Sequence, residues 1–388
     1  MKKVYFDHAA TSFIDKQVLE AMLSYFKDFF GNPSELHFLG QESKKAVEES
    51  RKTIANFFNC KKEEIIFTSG ATESINLAHK GLTEALKNEE KPHIITSSIE
   101  HKAVLDSCKH LEKLDLAKVT YLPVNEFGLV SLESLKKAVL PETRLVSIMY
   151  VNNEVGTVEP IKEIGDFLKK LNKKREKKIF FHTDATQAIA YLDVNVDHLN
   201  VDLLSLTGHK INAPKGVGVL YIRKGTKLIK QQDGGGQEFN LRAGTENVPY
   251  IVGLGKAISL INNKDIQKIK DLSKKLTVKI LKIKEVFLTG HPTLRSPHIN
   301  SFVVKNAESE SMLLLLSDRG VAVSAMSACN SDLLQPSHVL KAMKVPENLL
   351  NNSIRFSLGK NNTLEEVNYV VKNFKEVVNY LRKLAPKL

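Results

Sequence analysis

Long apolar runs are missing from this chain of 388 residues. No stretch approaches about 18 uncharged apolar residues, so no membrane span is expected. Asp7 and His8 follow Met1-Lys2-Lys3-Val4-Tyr5-Phe6 before any apolar signal-peptide core can form, so the expected location is cytoplasmic. Cysteine is scarce: Cys60, Cys108 and Cys329 are odd in number and far apart. That excludes a disulfide framework and fits a reducing compartment. No Cys-x-x-Cys occurs and no Cys/His pair has zinc spacing, so no metal site is expected. The chain has no Walker loop and no G-x-G-x-x-G after a strand, which argues against a P-loop or dinucleotide site. Internal repeats and low-complexity linkers are absent as well.

What is present is ordinary globular material, 42% hydrophobic and 26% charged, enough for two or three domains. The net charge of +12 raises the question of a nucleic-acid partner. Apart from a cluster at 169–175, however, the lysines are dispersed among acids, and no aromatic-basic recognition motif occurs. The basicity reads as general lysine richness.

Seven short apolar runs stand at 64–67, 93–96, 119–122, 145–149, 179–182, 202–206 and 217–221. Amphipathic stretches such as 72–89, 131–139 and 160–174 lie between them. Nearly continuous apolar strands alternating with helices predict an α/β fold with a mainly parallel sheet covered on both faces. Such a sheet gathers its functional groups at the carboxyl ends of its strands. After the Gly-rich segment 233–237, long helices are expected at 246–262 and 264–283. Short strands follow near 299–304 and 321–323, with a closing helix at 363–384. The expected division is a large domain over 13–257 and a smaller α+β domain from 1–12 and 258–388.

Three places could carry chemistry. Strand 179–183 delivers Asp184, and the next strand ends in Thr207-Gly208-His209-Lys210. A pyridoxal phosphate enzyme needs such a lysine for its Schiff base and such an acid to keep the pyridinium nitrogen protonated. Taken alone, the pair reads more simply as loop charges. Strand 64–67 runs through Thr68-Ser69-Gly70-Ala71-Thr72 into a helix, which offers an anion cradle of free N–H groups or simply an N-cap. Cys329 lies in a small, polar, loop-like stretch suited to an accessible thiolate nucleophile, whereas Cys60 and Cys108 read as structural.

The ordered motifs Phe67–Ser74, Glu100–Val104, Val151–Gly156, Asp184–Gln187, Gly208–Lys210, Arg242–Asn247, Ser327–Cys329 and Ser353–Gly359 resemble those of the NifS/IscS-type cysteine desulfurases. These belong to the class V aminotransferase group of fold-type I pyridoxal phosphate enzymes. The resemblance runs from Tyr5 to the final helix. It implies a large domain with a mainly parallel seven-stranded sheet, and conversion of L-cysteine to L-alanine with sulfur passing through a Cys329 persulfide. A selenocysteine lyase or another class V relative is the alternative.

The resemblance also implies roles. Lys210 would form the Schiff base with pyridoxal 5'-phosphate and Asp184 would pair with the ring nitrogen. Gln187 and Asn153 would bond the ring hydroxyl or the substrate. His101 would stack on the ring and shuttle protons. Ala71, Thr72, Thr207 and His209 would hold the phosphate. Thr245 would reach the site of a neighbouring subunit, implying a homodimer, and Arg355 would bind the substrate carboxylate. The acceptor would be a protein such as an iron–sulfur scaffold, serving cluster assembly or tRNA thiolation. The chain departs from the family at Ser12-Phe13, at Phe239-Asn240 and at Ala325-Met326, the last just before the thiol motif.

Overall fold

The computed structural model describes residues 2–87, 91–325 and 336–384. Its strands, in chain order, are β1 (Val4–Tyr5), β2 (Ile65–Thr68), β3 (His93–Ser97), β4 (Lys118–Leu122), β5 (Thr143–Ser147) and β6 (Phe180–Asp184), followed by β7 (Leu203–Thr207), β8 (Gly218–Ile222), β9 (Val286–Leu288), β10 (Ile299–Val304), β11 (Val321–Ala322) and β12 (Ser353–Ser357). Strands β2 to β8 form one seven-stranded sheet in the order β2-β8-β7-β6-β5-β3-β4. Each of the seven runs expected from the sequence is one of these strands, shifted by a residue or two.

The sheet is parallel from β4 through β7, and antiparallel where β8 lies between β7 and β2. Alternation along the strands explains why both faces are covered. Ile65 and Phe67 enter the apolar cluster on one face, with Val146, Leu204 and Val219. Ile66 enters the cluster on the other, with Leu145, Leu203 and Leu220. One face packs on the helices Lys16–Lys27, Phe38–Phe58 and Val248–Ser259, the other on Ala71–Ala85 and Lys102–Lys113. The first two of these helices have no counterpart in the expectations; the buried face of the second carries Ser43, Ser50 and Arg51.

A separate cluster contains Val4, Phe6, Leu276, Phe302, Phe356 and Phe374. It lies among the antiparallel sheet β12-β10-β9 and the helices Asn263–Ile280 and Leu364–Leu384. Strands β9 and β12 were not anticipated. The N-terminal β1 pairs in parallel with β11, so the first residues join the C-terminal body. Among the described residues no helix is long and apolar enough to cross a membrane.

Candidate active site

Strand order decides where the chemistry collects. β3 and β4 run toward one edge of the sheet, whereas β5 returns to the other side of β3 and continues into β6 and β7. That reversal opens a crevice at the carboxyl ends of the strands. A cleft of about 440 Å³ lies there. Its walls include His101 after β3, Asn153 after β5, Asp184 and Gln187 from the end of β6, and Thr207, His209 and Lys210 from the end of β7. Ala71 and Thr72, at the start of the helix after β2, complete it. Nine of the residues singled out in the sequence therefore share one cavity.

Lys210 follows β7 in a single turn of 3-10 helix, Gly208–Lys210. Its Nζ donates to the carbonyls of Ala9, at 2.7 Å, and Ala10. Burial, with the Arg355 charge adding to it, pulls the amine down to about 8, against the opposing pull of Asp7 and Asp184. An amine in that range is partly neutral, and so nucleophilic, near physiological pH. Asp184 is buried and accepts from Thr186 N at 2.9 Å through Oδ1. His101 caps the helix Lys102–Lys113, its Nδ1 accepting from Ala103 N at 3.1 Å. A neutral imidazole with Nδ1 as acceptor carries its proton on Nε2. Burial keeps this ring below the ordinary histidine range, with the Asp184 charge pulling the other way.

Asn153 reaches the cleft on a tight connection. Asn152 closes it, Oδ1 accepting from Glu154 N and Val155 N at 2.9 and 3.0 Å, and Nδ2 donating to Ile99 O at 2.9 Å. At its far end Glu159 is buried, accepting from Val130 N at 2.9 Å. Burial pushes that carboxyl up to about 8. An unfolded glutamate ionises near about 4.3, so between those values the unfolded chain releases a proton that the folded chain keeps. Stability contributed by the protonated Glu159 is thus complete below the lower value and lost as pH rises through the interval, by up to about 1.4 kcal/mol per pH unit. Thermal melts of Glu159→Gln should therefore gain on the wild type between pH 5 and pH 8. A gap that does not change with pH would contradict this.

The cradle depends on a close backbone approach. A Cβ at Gly218 would sit 2.6 Å from Gly70 Cα, so only glycine lets the first residue of β8 pass beneath this loop. Beyond Gly70 the helix Ala71–Ala85 presents N–H groups that have no carbonyl within the helix. The Thr72 and Thr207 side chains, the basic Lys215 and His209, whose ring burial pulls down to about 4 and so keeps neutral, also line the cleft. Orphan N–H donors, hydroxyls and a lysine, with the Lys210 amine and the Asp184 carboxyl along the walls, fit an anionic, carbonyl-bearing aromatic such as pyridoxal phosphate.

Sequence reasoning missed the residues that brace this cradle. Glu73 accepts from Ser69 N at 2.7 Å and from Arg242 Nε at 2.9 Å. Glu238, buried, accepts from Phe67 N at 2.7 Å and from both terminal nitrogens of Arg51 at 2.8 Å. Two carboxyls thus tie the end of β2 to the segment leading to Thr245. Glu238, Phe239 and Asn240 adopt left-handed φ values of 46°, 57° and 63°, a local strain that these bonds hold in place. The family motifs contained Glu73 and Arg242, but nothing local marked them as partners of each other or tied Glu238 to Arg51.

Two expected residues, Arg355 and Thr245, are not walls of the cleft. Arg355, on β12, is buried. It donates to Asn153 O at 2.6 Å and to Asp7 Oδ1 at 2.9 Å, and its Nε has no partner among the described residues. Thr245 is exposed. Cys329 lies outside the described residues. Burial pushes the other two thiols, Cys60 and Cys108, up to about 12, so both stay protonated.

Comparison with known proteins adds to this geometry. A family model described as aminotransferase class-V matches residues 4–370. The cysteine desulfurase IscS of Methanosarcina thermophila is 47% identical over 391 residues, 99% of this chain and 94% of its own. That of Dictyoglomus turgidum is 48% identical over 389 residues, 99% and 97% of the two chains. Among solved structures, a NifS-like protein aligns with a TM-score of 0.90 at 37% identity, over 98% of this chain and 100% of that one. SspA in complex with cysteine aligns with a TM-score of 0.82 at 38% identity, over 92% and 99%.

Proposed function

The chain belongs to the class-V aminotransferase family, and from that premise we propose how its residues act. It is a pyridoxal-phosphate-dependent cysteine desulfurase that converts L-cysteine to L-alanine. The observation that carries the reading of its site is the single cleft joining Lys210, Asp184 and a helix N-terminus.

Bound pyridoxal phosphate supplies an electron sink for the Cα of an amino acid. Ala71, Thr72, Thr207 and His209 would hold its phosphate, and Asp184 would keep a proton on its ring nitrogen. Lys210 would anchor the cofactor and, with its amine free, would take the Cα proton. His101, with its proton on Nε2, stacks on the ring and returns a proton. Gln187 and Asn153 orient the ring hydroxyl and the substrate. The Cys329 thiolate bonds to the substrate sulfur as the Cβ–S bond breaks. The electron pair stays with carbon, which is protonated, and L-alanine leaves a persulfide on Cys329. That sulfur passes to an acceptor protein such as an iron–sulfur scaffold. We place the reaction in the cytoplasm.

The domain division at residues 12/13 and 257/258 is supported by the separate apolar cluster that takes in Val4 and Phe6. A homodimer is supported by the large apolar side chains exposed along 26–38, among them Phe30, Leu36 and Phe38, and by the exposed Thr245. The deciding assay measures sulfide and alanine from L-cysteine in the presence of a reductant. One alanine per sulfide is expected, and a keto acid in place of alanine would mean transamination.

Arg355 binds the substrate carboxylate after exchanging Asp7 for it. Arg355→Ala should raise KM for cysteine by roughly tenfold to a thousandfold. In cofactor-free protein, capture of pyridoxal phosphate by Lys210 should rise with pH to a midpoint near about 8. Removing the Arg355 charge favours the protonated amine, so the variant's midpoint should move upward. An unchanged KM and an unchanged midpoint would separate Arg355 from both roles.

A further inference from the structure

Gln187 is held by a chain of hydrogen bonds whose direction can be read from its ends. The Ala9 carbonyl can only accept, so the Gln187 side chain, 2.9 Å away, must present its amide Nε2 there. Oε1 then faces His298 Nε2 at 3.0 Å, and that nitrogen must carry a proton. His298 Nδ1 is left as an acceptor, and Ser296 Oγ stands 2.7 Å from it as the donor. The relay therefore donates one way, from Ser296 to His298 to Gln187 to Ala9. The same Ala9 carbonyl also accepts from Lys210 Nζ at 2.7 Å.

His298 suits this task. It is fully buried, immediately before β10, and its ring stacks on Tyr191 with centroids 4.0 Å apart and planes 13° apart. Burial, with the Arg355 and Lys210 charges adding to it, keeps the ring neutral. A flipped Gln187 amide would set oxygen against oxygen at Ala9 and nitrogen against N–H at His298, losing both bonds. In the observed orientation one Nε2 hydrogen goes to Ala9. The other has no partner among the described residues, and Gln187 lines the cleft.

We propose that His298 is a positioning residue that locks the Gln187 amide with its spare N–H available to the cleft, as the donor offered to the cofactor ring. This rests on the reading that the cleft holds pyridoxal phosphate.

The test uses the holoenzyme and two substitutions. His298→Phe keeps a ring to stack on Tyr191 but removes the donor, whereas His298→Gln restores an N–H at nearly the Nε2 position. His298→Phe should shift the long-wavelength absorption maximum of the bound cofactor and weaken its retention roughly twofold to tenfold, as expected for one lost hydrogen bond. His298→Gln should return both toward wild type. An independent readout is the tautomer of His298 in cofactor-free protein, from nitrogen-15 NMR of labelled histidine, which should be the Nε2–H form. A wild-type spectrum and retention in His298→Phe would overturn the proposal, as would a Gln variant no better than the Phe variant or an Nδ1–H tautomer. If His298→Phe does not fold, the Gln variant and the tautomer decide. A wild-type protein that takes up no cofactor would instead sink the reading of the cleft, and the tautomer would still test His298.

Discussion

Purified Lys210→Ala protein is expected to be colourless after desalting, with no pyridoxal group fixed to it by borohydride. Turnover of L-cysteine should fall by more than about a thousandfold. Lys210 serves twice in the proposed cycle, as covalent anchor and as the base that moves the Cα proton, and a positioned base alone is worth roughly a hundredfold to ten-thousandfold. The effect should exceed any change in folding, since the Nζ bonds it gives up are two contacts to the Ala9 and Ala10 carbonyls. The nearest competitor is Lys215, which lines the same cleft. Peptide mapping after borohydride reduction separates the two. A pyridoxyl group on Lys215 in wild-type protein, or on any lysine of the variant at wild-type yield, would remove Lys210 from its role.

Cys329→Ser should separate cofactor chemistry from sulfur transfer. The variant is expected to keep its cofactor and its spectral response to cysteine, because neither uses the thiol. Sulfide release should fall by about a thousandfold or more, since a serine hydroxyl is a poor nucleophile toward sulfur and cannot form an S–S bond. Cys60 and Cys108 are poor substitutes. Burial pushes both thiols up to about 12, so their thiolate fractions near neutrality are negligible. Mass spectrometry after incubation with cysteine and no reductant should find one added sulfur on the peptide that contains residue 329. Finding it on Cys60 or Cys108, or undiminished sulfide from Cys329→Ser, would overturn the mechanism.

Much of this site was legible in the sequence because its parts sit at strand ends. A short apolar run followed by a small or polar residue marks where a buried strand leaves the sheet. Asp184, Lys210 and the Ser69-Gly70 turn all announce themselves in that way. The long amphipathic helices Asn263–Ile280 and Leu364–Leu384 were legible for a similar reason, as sustained helical periodicity. Strand β12 was not: Ser-Ile-Arg-Phe-Ser alternates like a strand with one wet face, yet every residue is buried, and burial of its polar face depends on partners such as Asp7 and Ala9 N. The motif match singled out Arg355 without its partner, for which the ion pair to Asp7 now accounts.

The sequence by itself determined the local units of the large sheet: which seven segments become its strands, where each one ends, and which reactive side chain stands at that end. These follow from periodicity and from turn residues, whose range is a few positions. Tertiary structure alone decided the order in which the strands lie. That order brings Asp7 to Arg355, Glu238 to Phe67 and His298 to Gln187, pairs separated by 348, 171 and 111 positions. None of these partners carries a local signature. A buried carboxyl, guanidinium or imidazole is stable only when a complementary group is already in place, and which group meets it depends on how the sheets pack.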